Sequence, residues 1–93
     1  MSRPVPDQVF LVDEAVAHRV VEGQVLLLLP DEYTLYTLNP SGKLVWEELV
    51  KGRPLAAMVA RLARAYRIPA QRAEEDVLAL LADLEARGVI RRA

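Results

Sequence analysis

The chain has no cysteine, a single histidine, two serines and a single phenylalanine among its 93 residues. Without cysteine it has no disulfide, no thiolate metal ligand and no thiol nucleophile, and nothing in it reports the redox state of its compartment. The histidine, His18, sits in an alternating stretch with no nucleophile or acid spaced to work with it, so it reads as structural or solvent-facing rather than as a general base. Ser2 is terminal and Ser41 falls in the first turn of a helix. No glycine-rich phosphate loop and no metal-ligand spacing occurs. These absences argue against an enzyme, and neither a cofactor nor a metal is expected.

Long apolar runs are missing too. Val25–Leu29 and Val77–Ala82 fall far short of the roughly 20 residues that span a bilayer. The opening Met-Ser-Arg-Pro-Val-Pro-Asp-Gln lacks the apolar core of a signal peptide, so a cytoplasmic location and no membrane partner are expected. Twelve basic residues against 13 acidic ones leave a net charge of −1, which gives no global attraction for a polyanion. With 53% apolar and 27% charged residues, the composition is that of a globular chain. Its length suits a single domain, 1–93, with a core over about residues 8–90.

What is present divides into two textures. Residues 8–38 read as strands. Gln8–Val12 is a short apolar run, Glu22-Gly23 is a turn that makes Val16–Val21 and Gln24–Leu29 a hairpin, and Pro30-Asp31-Glu32 precedes a further strand, Tyr33–Leu38. The apolar content is high for a small antiparallel sheet, which normally keeps a wet face. Phe10–Val12 is a candidate to cover part of the second face. From Asn39 the period changes to 3.6. Asn39-Pro40 starts a helix that Gly52 ends, Pro54 starts a second that Ile68-Pro69 closes, and a third runs from about Ala70 to Arg87 before Gly88. Their core stripes are Leu44, Val45, Leu49 and Val50; then Leu55, Met58, Val59, Leu62 and Tyr66; then Ala73, Val77, Leu80, Leu81 and Leu84. Val89-Ile90 adds a short strand or folds back on the core. Strands first and helices after make an α+β fold.

Three helices with a small sheet also suit a DNA-binding domain, and Arg53, Arg61, Arg64, Arg67 and Arg72 form a loose basic patch. A recognition helix carries basic and amide side chains. The third helix instead carries Glu74, Glu75, Asp76, Asp83 and Glu85, which phosphates would repel, so no nucleic-acid partner is expected. Glu74–Asp76 at its start favour the helix dipole. A peptide is a better fit. An exposed strand edge with apolar neighbours accepts an extended peptide as a further strand. On Tyr33–Leu38, Tyr33, Leu35 and Thr37 face one way and Thr34, Tyr36 and Leu38 the other, and only one set meets the helices.

The run from Tyr36 to Ile90 resembles the PqqD-like family, the precursor-recognition domains of ribosomally made, post-translationally modified peptides. The shared pattern is carried here by Tyr36, Leu38, Asn39, Gly42, Val45, Trp46, Gly52, Asp76, Val77, Leu84 and Gly88, and the resemblance covers about residues 15–90. Pro69-Ala70 departs from it, standing where a polar cap is usual. The resemblance implies a winged helix-turn-helix-like domain with a three-stranded antiparallel sheet followed by three helices. It implies that a leader peptide adds as a strand beside Glu32, Tyr33, Thr34, Leu35, Tyr36 and Thr37, in a groove closed by the third helix. The helix flank of Asp76, Leu80, Asp83 and Leu84 is preferred, with Asp76 and Asp83 available to leader lysines or arginines; Glu74, Leu78, Leu81 and Glu85 form the alternative flank. A free-standing domain with Asn-Pro-Ser-Gly-x-Leu-Val-Trp is most similar to the leader-binding subunit of lasso-peptide pathways. The implied partners are a precursor peptide and a separate leader peptidase, with a cyclase in the same pathway. The alternative is a relative that presents a precursor to a radical enzyme.

Overall fold

The computed structural model describes residues 3–31 and 33–93. Its elements are β1 (Phe10–Val12), β2 (Ala17–Val21), β3 (Gln24–Leu28), β4 (Leu35–Leu38), α1 (Pro40–Val50), α2 (Leu55–Tyr66), α3 (Ala70–Ala86) and β5 (Ile90–Arg92). β2, β3 and β4 form an antiparallel meander in that order, and β1 pairs antiparallel with β5 in a separate ribbon. Among the described residues no helix is long and apolar enough to cross a membrane.

Local chemistry sets the element boundaries. Glu22 and Gly23 both have positive φ, 51° and 80°, the primed turn whose twist matches a two-residue hairpin. Asp31 accepts from the backbone N–H groups of Tyr33 and Thr34 and from the Thr34 hydroxyl, which orders the turn into β4 and delays the strand to Leu35. Asn39 caps α1 by accepting from the Gly42 N–H at 2.8 Å, with Pro40 at the first helical position. α2 follows Pro54 and has no side-chain cap. Its first donors are taken from outside the helix, Leu55 N–H by the Gln8 carbonyl and Ala56 N–H by the Pro6 carbonyl. It ends with Arg67 in the left-handed region at φ 53°, one residue short of the Ile68-Pro69 stop.

The helices pack on one face of the meander. Val25, Leu27 and Leu38 from the sheet meet Val45, Trp46 and Leu49 of α1, Leu55, Met58 and Leu62 of α2, and Ala73, Val77, Leu81 and Leu84 of α3, all buried. The stripes fail at two positions, since Tyr66 and Val50 are exposed. Arg61 is no part of a free basic patch: it pairs with Glu47 at 2.7 Å and with Glu48 at 3.4 Å, tying α2 to α1. His18 is exposed on β2, with its ring edge-on to Trp46 at 5.8 Å.

The N-terminal run does not cover the outer face of the meander. Phe10 turns into the core, and its strand pairs with β5. The ribbon extends at both ends: Asp13 N–H donates to the Val89 carbonyl and Ala93 N–H to the Val9 carbonyl. Pairing with the chain's last strand satisfies β1's backbone, which lying across an already paired sheet would not. The outer face of the meander therefore stays open at Val21, Tyr33 and Leu35.

Candidate functional site

Among the described residues β4 has β3 as its one neighbouring strand, and its other edge is open. Leu29 N–H donates to the Thr34 carbonyl at 3.0 Å, making Leu29–Thr34 a hydrogen-bonded pair. Alternation in an antiparallel ladder then makes Leu27–Tyr36 and Val25–Leu38 hydrogen-bonded pairs as well. The N–H and C=O groups of Leu35 and Thr37 consequently point away from β3, along the open edge. Their side chains lie on the exposed outer face, while Tyr36 and Leu38 turn towards the helices.

Alongside this edge lies a cavity of about 450 Å³. Tyr36, Thr37 and Leu38 form its strand side, and Asp76, Ala79 and Leu80 its α3 side. Its floor is Gly42 and Val45 from α1 and Leu62 from α2, with Asn39 and Ser41 at one end. Gly42 packs closely at this junction: a Cβ there would lie 3.2 Å from Asn39 Oδ1 and 3.3 Å from Leu38 Cβ, so a neighbour would have to give by a few tenths of an ångström. No Cα of β4 comes within 8 Å of a Cα of α3, so the two walls are joined through side chains. Asp76 and Asp83, seven residues apart, are separated by about 10 Å along the α3 axis. Groove-facing positions of a strand recur every ~7 Å.

The two acids differ in their surroundings. Asp83 Oδ2 accepts from the Tyr36 hydroxyl at 2.5 Å, and Asp83 Oδ1 accepts from Arg87 Nε at 3.1 Å. The Arg87 guanidinium also lies over the Tyr36 ring, 4.9 Å from its centre. The Tyr36 hydrogen bond, with help from Arg87, holds the Asp83 carboxyl below the usual carboxylate range. Desolvation, with the same hydrogen bond, pushes the Tyr36 phenol up. Asp76 is exposed and, among the described residues, has no hydrogen bond or ion pair.

The remaining expected residues are divided among the outer face, the turn, the cavity wall and the core. Tyr33 and Leu35 are solvent-facing, 93% and 66% exposed, and Thr37 is exposed beside them. Thr34 is held by Asp31 at the turn. Leu80 is half-buried on the cavity wall, but Leu84, 1% exposed, lies in the core and has no surface to offer a ligand. Glu32 lies outside the described residues. The alternative flank faces elsewhere: Leu78, Leu81 and Glu85 line a separate cavity with β5 and the Arg3-Pro4 segment. Sequence reasoning missed Leu38, Asn39, Ser41, Gly42, Val45, Leu62 and Ala79 as cavity residues. Leu38, Asn39, Gly42 and Val45 belong to the motif on which the resemblance rests, a signal that could have pointed to them; Ser41, Leu62 and Ala79 carry none.

The profile of the family described as coenzyme PQQ synthesis protein D (PqqD) matches residues 24–90, from β3 through to the first residue of β5. The chain belongs to the PqqD family. Members are non-catalytic, and this protein is not an enzyme. No curated protein matches it in sequence. Among solved structures it is similar to "TbiB1 in Complex with the TbiA(beta) Leader Peptide", with a TM-score of 0.80 and 21% identity over 86% of this chain and 93% of that one. At that identity the likeness establishes the PqqD-like α+β fold.

Proposed function

We propose that this PqqD-family protein binds the leader segment of a ribosomally synthesised precursor peptide by strand addition to β4 and delivers it to a separate leader peptidase in lasso-peptide biosynthesis. The observation that carries the reading is the open β4 edge. Leu35 and Thr37 present two donors and two acceptors to an incoming strand, directly beside a cavity of mixed polar and apolar lining with room for more than one side chain. An antiparallel strand would place alternate side chains opposite Tyr36 and Leu38, on the cavity side, and the intervening ones on the outer face with Leu35 and Thr37. Val45, Leu62 and Leu80 suit an aliphatic or aromatic side chain. Asp76, on the cavity's α3 side and unpaired among the described residues, suits a lysine or arginine of the peptide. The similar protein TbiB1 was solved with a leader peptide, which supports the same use of the fold.

Delivery is a matter of effective concentration: a bound leader is held near the peptidase without any chemistry on this chain. An interface of one added strand and two or three buried side chains suits an affinity of roughly micromolar to tens of nanomolar. The second reading, presentation of a precursor to a radical enzyme, is favoured by the description of the matched family.

The test is titration of a synthetic leader, taken from the short precursor encoded beside this chain's gene, followed by fluorescence anisotropy. Saturable binding is expected, with Leu80→Asp weakening it at least tenfold while circular dichroism stays native. No saturation by that leader would sink the proposal. Adding the purified leader peptidase or the purified radical enzyme of the same gene cluster, with turnover as readout, decides between the two deliveries.

A further inference from the structure

Asp76 and Asp83 lie on one face of α3, yet the structure gives them different work. We infer that Asp83 is a positioning residue: with Tyr36 and Arg87 it forms a clasp that fixes the β4 edge at its distance from α3, so that the groove is open before a peptide arrives. This rests on the strand-addition reading above.

Three observations support the clasp. First, the backbones of β4 and α3 stay more than 8 Å apart, so nothing in their main chains sets the spacing. Second, both carboxylate oxygens of Asp83 are already in use, Oδ2 by the Tyr36 hydroxyl and Oδ1 by Arg87. A peptide cation at Asp83 would have to share the carboxylate with Arg87, whereas Asp76 has no cation beside it among the described residues. Third, the contacts close a triangle, because Arg87 also covers the Tyr36 ring. The ring is thereby held from two sides, at its hydroxyl and at its face. Tyr36 borders the cavity, and a Tyr36 ring released from α3 is free to turn into it and occupy the space an incoming side chain needs. Holding the ring in place removes that ordering step from binding, which is how preorganisation raises affinity.

The test compares Tyr36→Phe, Asp83→Asn and the double variant, titrated with the leader segment of the neighbouring precursor and with the same segment carrying glutamine in place of every lysine and arginine. Each single variant is expected to weaken binding about five- to tenfold, the scale of one net hydrogen bond. The double variant should lose no more than the worse single one, and the loss should be the same for both peptides. Additive losses, no loss in Asp83→Asn, or a loss that disappears with the glutamine peptide would overturn the inference; the last would make Asp83 a direct ligand. Amide chemical shifts of the free protein give an independent reading. Tyr36→Phe should move Asp83–Arg87 as well as Leu35–Thr37. Shifts confined to β4 would remove the clasp whatever the peptide does, and absence of binding by the unaltered chain would remove the strand-addition reading while leaving the clasp to these shifts.

Discussion

Asn39 does two things at once: its side chain caps α1, and it closes one end of the groove. Asn39→Ala removes the cap and should cost about 1 kcal/mol, lowering Tm by roughly 4–8 °C for a domain of this size, as calorimetry would read. Gly42→Ala tests the same junction from the other side, because the added methyl crowds Asn39 Oδ1 and Leu38, which must give by a few tenths of an ångström. A lower Tm together with weaker peptide binding is expected from that change. The clasp adds a pH dependence whose sign follows from two shifts. The Asp83 carboxyl is depressed when folded, so its contribution is present above its ordinary value of 3.8 and is lost as pH falls through the lower folded value. The Tyr36 phenol is raised, so its contribution is present below 10.0 and is lost as pH climbs through the higher folded value. The stability difference between the unaltered chain and Asp83→Asn should therefore be flat from about pH 5 to 9 and shrink in strong acid, measured by urea unfolding.

At the scale of elements, the helices were legible in the sequence because their caps are chemical signals: Asn39-Pro40, Gly52, Pro54 and Gly88 each mark a boundary within a residue or two of where the chain turns. The hairpin was legible for the same reason, in Glu22-Gly23. β4 was harder. Its start moved from Tyr33 to Leu35 because Asp31 recruits the amides of Tyr33 and Thr34 into the turn, a competition between side chain and ladder that periodicity does not register. The apolar run Phe10–Val12 is a candidate to cover part of the sheet, whereas its partner is β5, and such long-range pairing leaves no local trace. Within the groove, helical spacing leaves two α3 flanks open and the resemblance favours that of Asp76 and Leu80; Leu84 shares that spacing but is buried, since a stripe's edge and its centre differ by one short rotation. The engagement of Asp83 by Tyr36, 47 residues away, was not readable at all. β4 also supplies a direct element-level test. Thr37→Pro deletes an N–H that points away from β3, so the meander keeps its ladder. Peptide binding should drop at least tenfold with circular dichroism unchanged, while Thr37→Ala binds as the unaltered chain does.

At the scale of the whole molecule, the two ends of the chain close the structure while the middle leaves an edge open. The N-terminal segment lends carbonyls of Pro6 and Gln8 to the uncapped start of α2, and β1 pairs with β5. Deleting residues 1–8 should therefore lower stability by roughly 1–3 kcal/mol, from two unmet helix donors, without altering the β4 edge; urea unfolding and leader titration on the same variant separate these effects. The central claim is that a leader peptide becomes the fourth strand of the meander. The most direct test is hydrogen exchange, residue by residue, with and without the leader segment. Leu35 and Thr37 amides should slow markedly on binding, with Tyr36, already bonded to β3, changing little. Unchanged exchange at Leu35 and Thr37 under saturating leader, with protection appearing instead around Leu78 and Ile90, would contradict the account.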